Sequence, residues 1–229
     1  MPTRCFLLLP TDTVRRWLRR YTGHRKQGSR GEWTCAAGWH QAMVLFDEAA
    51  AVWEERVERE GPPRVVLRTV THRETERPPE DDPRWPTTCE KCVYVFDDED
   101  AKQFFYDLIY RRKDTGALTT LRDAPPGAMW DAWWLRGLSG GQVLGGPADD
   151  GRRLMVKCPN GREWFIDGRA SNCTKPKDDQ HRCWVRHGEP PDLVVDKRGV
   201  TCQAGAGSIL AGDYHGFLGS HGAQPGWFT

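Results

Sequence analysis

The sequence predicts an α+β chain, loop-rich, with short helices ahead of a β-rich C-terminal part. Three observations carry that expectation. Apolar residues make up only 38% of the 229, while 24 glycines and 16 prolines punctuate the chain, so short elements and long connections are expected. Apolar residues recur at helical spacing between Asp97 and Arg112. The last third alternates brief apolar runs with turn residues, the mark of hairpins.

Taken in order, Arg4 to Leu9 reads as a buried strand. Thr11 or Asp12 then caps a short helix with Val14, Trp17 and Leu18 on one face and Arg15, Arg16, Arg19 and Arg20 on the other. That arginine face continues through His24, Arg25, Lys26 and Arg30; a basic patch is one reading and a solvated helix face the commoner one. Phe46 to Glu60 sets Ala49, Val52, Trp53 and Val57 near helical spacing, with Asp47 and Glu48 suited to its start. Gly61-Pro62-Pro63 ends it, and Val65 to Val70 can form a strand. Thr71 to Pro86, charged and proline-bearing, is the linker candidate.

The clearest helix signal runs from Asp97 to Arg112. Asp97 or Asp98 can cap it, and Ala101, Phe104, Phe105, Leu108 and Ile109 follow the i, i+3, i+4 pattern of a core-facing stripe. Ala117 to Leu121 reads as a strand. Ala128 to Leu135 carries Trp130, Trp133 and Trp134, at least one of which is expected at an interface or beneath a loop. The glycine-rich run from Gly137 to Gly151 lacks both the P-loop and the dinucleotide fingerprints and reads as a loop. Arg153 to Cys158 and Arg162 to Asp167 flank Pro159-Asn160-Gly161, a strong hairpin signal. Leu193 to Val195 and Val200 to Gln203 flank Asp196 to Gly199 and suggest a second hairpin.

These elements group into residues 1–77, an N-terminal α/β part; 78–150, a Cys-x2-Cys knuckle, helix and Trp-rich segment; and 151–229, a β-hairpin part with a Cys/His loop. They can equally form one compact unit.

The chemistry lies in cysteine and histidine. The N-terminal apolar block, Cys5 to Leu9, is too short for a signal peptide or a membrane span, so a non-secreted product is expected and the eight cysteines are expected as thiols or metal ligands rather than disulfides. Cys89 and Cys92 stand two residues apart before an alternating apolar run, the geometry of a zinc knuckle leading into a strand; Cys35 and His40 are the nearest partners by order. Cys173, Cys183 and Cys202, with His181 or His215 as fourth ligand, form a second candidate set in a stretch with too little apolar matter to fold by burial alone. One or two structural zinc ions therefore complete the expected fold. Cys5 and Cys158 sit in strand-like runs and read equally as small buried hydrophobes.

A catalytic alternative draws on the same atoms: Cys173 or Cys183 as nucleophile, His181, His187 or His215 as base, and Asp167 or Asp213 as orienting acid. None sits in a recognisable nucleophile context, so no catalytic residue is assigned. Zinc with an open position lacks a convincing water-activating His/Glu pair. The net charge of +1 balances 33 basic against 32 acidic residues and gives no overall pull towards nucleic acid or membrane. Eleven tryptophans and the terminal Gly226-Trp227-Phe228-Thr229 suggest surfaces that hold something, whether of the same chain or a partner.

Several long segments resemble a family of uncharacterised proteins from tailed bacteriophages. They are Cys5-Phe6-Leu7-Leu8 with Thr11-Asp12 and the run Arg15 to Tyr21; Asp82 to Pro86; Thr120 to Trp130; and Ile166 to Cys173 with Cys183 to Gly188. The resemblance covers most of the chain and implies a phage origin without an activity. It leads to the expectation of a virion-associated accessory structural protein, such as a head-decoration component of the capsid, contacting capsid protein or its own copies. The alternative is a zinc-stabilised factor in the host cytoplasm that binds a host protein or nucleic acid through the Val14 to Arg30 face.

Overall fold

In a computed structural model of the chain, Phe6 to Tyr21 is one continuous strand, not a strand followed by a helix. The structure describes residues 2–22, 35, 39–57, 66–71, 76–135, 150–170, 172–175, 177–178, 181–197, 202, 204 and 208–229. Among them strands dominate, with a 3-10 turn at Trp133–Leu135 and no α-helix. The strands are β1 (Thr3–Arg4), β2 (Phe6–Tyr21), β3 (Gln41–Ala50), β4 (Val52–Val57), β5 (Val66–Thr71), β6 (Ala101–Arg112), β7 (Leu118–Thr120), β8 (Ala128–Asp131), β9 (Leu154–Lys157), β10 (Glu163–Phe165), β11 (Val185–His187), β12 (Val194–Asp196), β13 (Ile209–Ala211), β14 (Tyr214–Gly216) and β15 (Trp227–Phe228).

The α+β expectation is thus corrected, and each expected helix fails for a physical reason. In β2 the buried residues are Phe6, Leu8, Val14, Leu18 and Arg20, all of one parity and so on one face of a strand. Spacing by four fits a helix and a strand alike, and Arg16 and Arg20 stand at inward positions where apolar residues would have exposed the alternation. In β6, adjacent Ile109 and Tyr110 are both only 2% exposed, so both faces are covered and no alternation survives. The stretch read as a helix from Phe46 is shared by β3 and β4, and its end, residues 58–60, lies outside the described residues.

The chain divides into two compact units. The first comprises Met1–Pro10, Trp53–Thr69 and Tyr110–Thr229. Here β8 runs parallel to the start of β2, pairing Phe6 with Ala128, and antiparallel to β9, which pairs in turn with β10. The β9–β10 turn is the one expected at Pro159-Asn160-Gly161: Gly161 takes φ 80°, its N–H donates to Cys158 O at 2.8 Å, and Asn160 Oδ1 accepts from Arg162 N at 3.0 Å. β12 pairs with β11, so Val194 faces His187; of the second expected hairpin, 198–201 and 203 lie outside the described residues. β15 pairs with β1, and Phe228 is fully buried, so the aromatic tail docks onto its own unit. The core gathers Cys5, Met129, Val156, Trp184, Leu193 and Phe228 among others, and Cys183 belongs to it. Lys157 is buried with its ammonium donating to the carbonyls of Leu121, Arg122 and Ala124 at 2.8, 3.1 and 2.9 Å.

The second unit comprises Thr11–Val52 and Val70–Ile109. β2 pairs antiparallel with β3 from Thr13↔Ala50 to Tyr21↔Gln41, and the register shifts at Arg16/Trp17, leaving Phe46 as the extra residue of a bulge. The phenyl ring so displaced sits edge-on to Phe104, under the guanidinium groups of Arg16 and Arg84. Residues 76–86, within the stretch expected to be a linker, fold around buried Trp85, whose indole N–H donates to Pro79 O at 2.8 Å.

Candidate metal centres

Each unit holds one cluster of three cysteines and one histidine. Cys35, His40, Cys89 and Cys92 converge in the second unit; Cys173, His181, Cys183 and Cys202 converge in the first. Within each cluster the donor atoms lie within 4.8 Å of one another.

The first cluster is set by a short hairpin. Cys89 N–H donates to Tyr94 O at 2.9 Å and Thr88 bridges Val95, folding the Cys-x2-Cys segment back so that both thiols reach one point. Glu90 N–H donates to Gln41 O and Thr22 N–H to His40 O, each at 3.1 Å, which brings the residues entering β3 alongside. Cys35 Sγ is then 3.9 Å from Cys89 Sγ, and His40 Nδ1 is 3.2 Å from Cys92 Sγ. The imidazole lies flat against Tyr94, whose hydroxyl donates to Asp100. Cys35, Ala42, Cys89 and Phe96 make the surrounding buried cluster.

The second cluster is built on a loop. Arg169, itself buried, donates through its guanidinium to the carbonyls of His181, Lys175 and Asp178, curling the loop around one side chain. Cys173 N–H donates to Ala170 O at 3.0 Å and Cys183 N–H to Gly168 O at 3.3 Å. Cys183 Sγ stands 3.6 Å from His181 Nε2 and 3.6 Å from Cys202 Sγ. Nothing in the sequence marks Arg169 for this role: it is one of 33 basic residues, and its partners are backbone carbonyls.

These spacings decide between a disulfide and a metal. A disulfide needs sulfurs about 2.05 Å apart. Bonds of about 2.3 Å to a tetrahedral zinc place two sulfurs about 3.8 Å apart, and a sulfur and an imidazole nitrogen about 3.6 Å apart. The distances of 3.9, 3.6 and 3.6 Å match the second case, while His40 Nδ1 and Cys92 Sγ, at 3.2 Å, stand closer than it; all eight cysteines are free thiols, and both clusters can hold a metal ion. The donor sets are compatible with zinc.

The electrostatics of the sulfurs are graded. Burial pushes the Cys89 thiol up, but the Lys91 and Gln41 backbone amides, with His40 and Cys92, outweigh it and bring the pKa to about 6. Cys202 behaves likewise: burial is outweighed by the Ala204 amide, His181, Cys183 and the Thr174 amide, giving about 6. Cys183 is pushed up to about 12, first by burial and then by its cysteine neighbours. Burial also drives Cys5 and Cys158 up to about 12, which keeps them neutral thiols in the core.

Of the residues of the catalytic alternative, Cys173, His181 and Cys183 fall within the second cluster, while its other histidines and its acids are engaged elsewhere. His187 Nε2 is 3.1 Å from Asp196 Oδ1, and His215 Nε2 is 2.8 Å from Ser208 Oγ, so His215 is not the fourth ligand and neither histidine faces a cysteine of the cluster. Asp167 accepts from Leu154 N and from Arg186 Nε, both at 2.9 Å. Asp213 accepts from Asn160 Nδ2 at 2.6 Å. The arginines of β2 are also engaged: Arg15 with Glu48, Arg16 with Asp47 and Glu76, and Arg19 with Gln41. Residues 23–30, which were to extend that face, lie outside the described residues. No described helix is long and apolar enough to cross a membrane.

Comparison with protein-family models, with curated proteins and with solved structures returns no match.

Proposed function

We propose that this chain is a zinc-clasped β protein whose role is structural and protein-binding, with one closed Cys3His centre in each unit. The carrying observation is that Cys35, His40, Cys89 and Cys92, and separately Cys173, His181, Cys183 and Cys202, each present four soft or imidazole donors around one point. Four protein ligands fill a tetrahedral zinc and leave no position for water or substrate, which favours a clasp over a catalytic metal. The pairing of the β2 arginines with Glu48, Asp47, Glu76 and Gln41 favours protein over nucleic acid as partner. Together with the resemblance to phage proteins, this supports an accessory structural component of a phage particle, contacting capsid protein or further copies of itself.

Purified in reducing buffer, the protein should carry about two zinc ions per chain, and chelation should lower its melting temperature. Metal-free protein of unchanged stability would overturn the clasp. Mass spectrometry of purified particles should find the chain among virion proteins; its confinement to the infected-cell lysate would overturn the virion role and leave the host-cytoplasm factor.

A further inference from the structure

The two centres match in donors and differ in cover. In the second, His181 and Cys183 are buried and Cys173 and Cys202 half-buried; in the first, Cys92 is the only exposed cysteine of the eight. It sits at the tip of the knuckle turn, beside exposed Glu90 and Lys91 and beside Val93, which is 95% exposed. The same turn places Cys89, three residues back, within 4.8 Å at the donor atoms. A pair so spaced in a turn can close a disulfide with only local movement. Cys173 and Cys202 of the second centre are covered further than Cys92.

Building on the zinc reading above, we propose that Cys92 is an oxidation site through which a peroxide discharges the first centre and leaves the second loaded. The Cys92 thiolate attacks one peroxide oxygen: an S–O bond forms, the O–O bond breaks and hydroxide leaves, giving a sulfenic acid. The Cys89 thiolate then attacks that sulfur: an S–S bond forms, the S–O bond breaks and a second hydroxide leaves. The two sulfurs have lost two electrons, the peroxide has gained them, and both hydroxides take up protons to become water. The metal is left with Cys35 and His40 alone and dissociates. Because Cys35 and Cys89 belong to the buried cluster with Ala42 and Phe96, its loss loosens the packing around the knuckle.

The test uses the metal-loaded full chain. Metal content is measured first, hydrogen peroxide is added, released zinc is read with a chromophoric chelator, and disulfides are mapped by peptide mass spectrometry. The expected result is release of half the bound zinc before the other half, with a Cys89–Cys92 linked peptide and recovery on adding thiol reductant and zinc. A Cys92→His variant keeps a full donor set without the exposed sulfur and should release that half about ten-fold more slowly. Simultaneous release of both halves, earlier loss from the second centre, or a disulfide joining Cys35 to Cys89 would overturn the proposal. Protein without zinc at the outset would refute the clasp reading and this one with it; loaded protein with the wrong release pattern refutes this one alone.

Discussion

Tyr94 lies flat on the imidazole of His40, with ring centroids 4.1 Å apart and planes within 9° of each other. The stack fixes the orientation of the ring whose Nδ1 faces Cys92, and Asp100 fixes Tyr94 in turn through its hydroxyl, 3.0 Å away. Residues that orient a ligand typically govern metal affinity by about 10- to 100-fold when removed. Tyr94→Ala should therefore weaken zinc binding at the first centre by about ten-fold, measured by competition with a chelator of known affinity. Tyr94→Phe keeps the stack and should stay within about three-fold of the parent. Equal losses in both variants would assign the effect to the hydroxyl instead.

Arg169 should be the most sensitive position of the second centre outside its ligands. Its guanidinium serves the carbonyls of His181, Lys175 and Asp178, and hydrogen bonds to a charged group contribute about 1.5–3 kcal/mol each. Arg169→Leu should lower unfolding stability by at least about 3 kcal/mol and release metal from this centre first. Arg169→Lys, a point charge without the planar fork, should recover less than half of that loss in a denaturant titration.

The metal-free protein should lose stability as pH falls from about 9 to about 6. Cys89 and Cys202 have folded-state values near 6, below the ordinary thiol value of 9.0, so their thiolates favour the fold fully above that ordinary value. The contribution fades as pH falls and is gone once it has passed through about 6. Cys183, raised to about 12, opposes the fold only above the ordinary thiol value and leaves this window alone. Urea midpoints measured across the window check the sign; a midpoint that climbs on acidification would contradict it.

What could be read from the chain was local chemistry. The Cys-x2-Cys spacing of Cys89 and Cys92 and the Asn160-Gly161 turn each act within a few residues, and both turns stand in the fold. Long-range matters were illegible in the same measure. Whether Val14 and Leu18 belong to a helix or a strand is undecided by their spacing and is settled by the Gln41–Ala50 strand pairing beside them. Phe104 and Phe105 imitate a helical stripe because a strand covered on both faces fills neighbouring positions with apolar side chains. The pairing of Val194–Asp196 with Val185–His187 turns at Gly188, where φ is 88° and a side chain would meet Asp192 O at 2.7 Å.

The carbonyl cradle of Lys157 has a consequence for reactivity. An ammonium has three N–H bonds, and here Leu121, Arg122 and Ala124 accept one apiece within a buried site. An acylating reagent would have to displace all three of these hydrogen bonds and reach a buried nitrogen. Lys157 is therefore a lysine that surface-labelling chemistry should pass over while the fold holds, and its first modification would report that the 121–124 turn has opened.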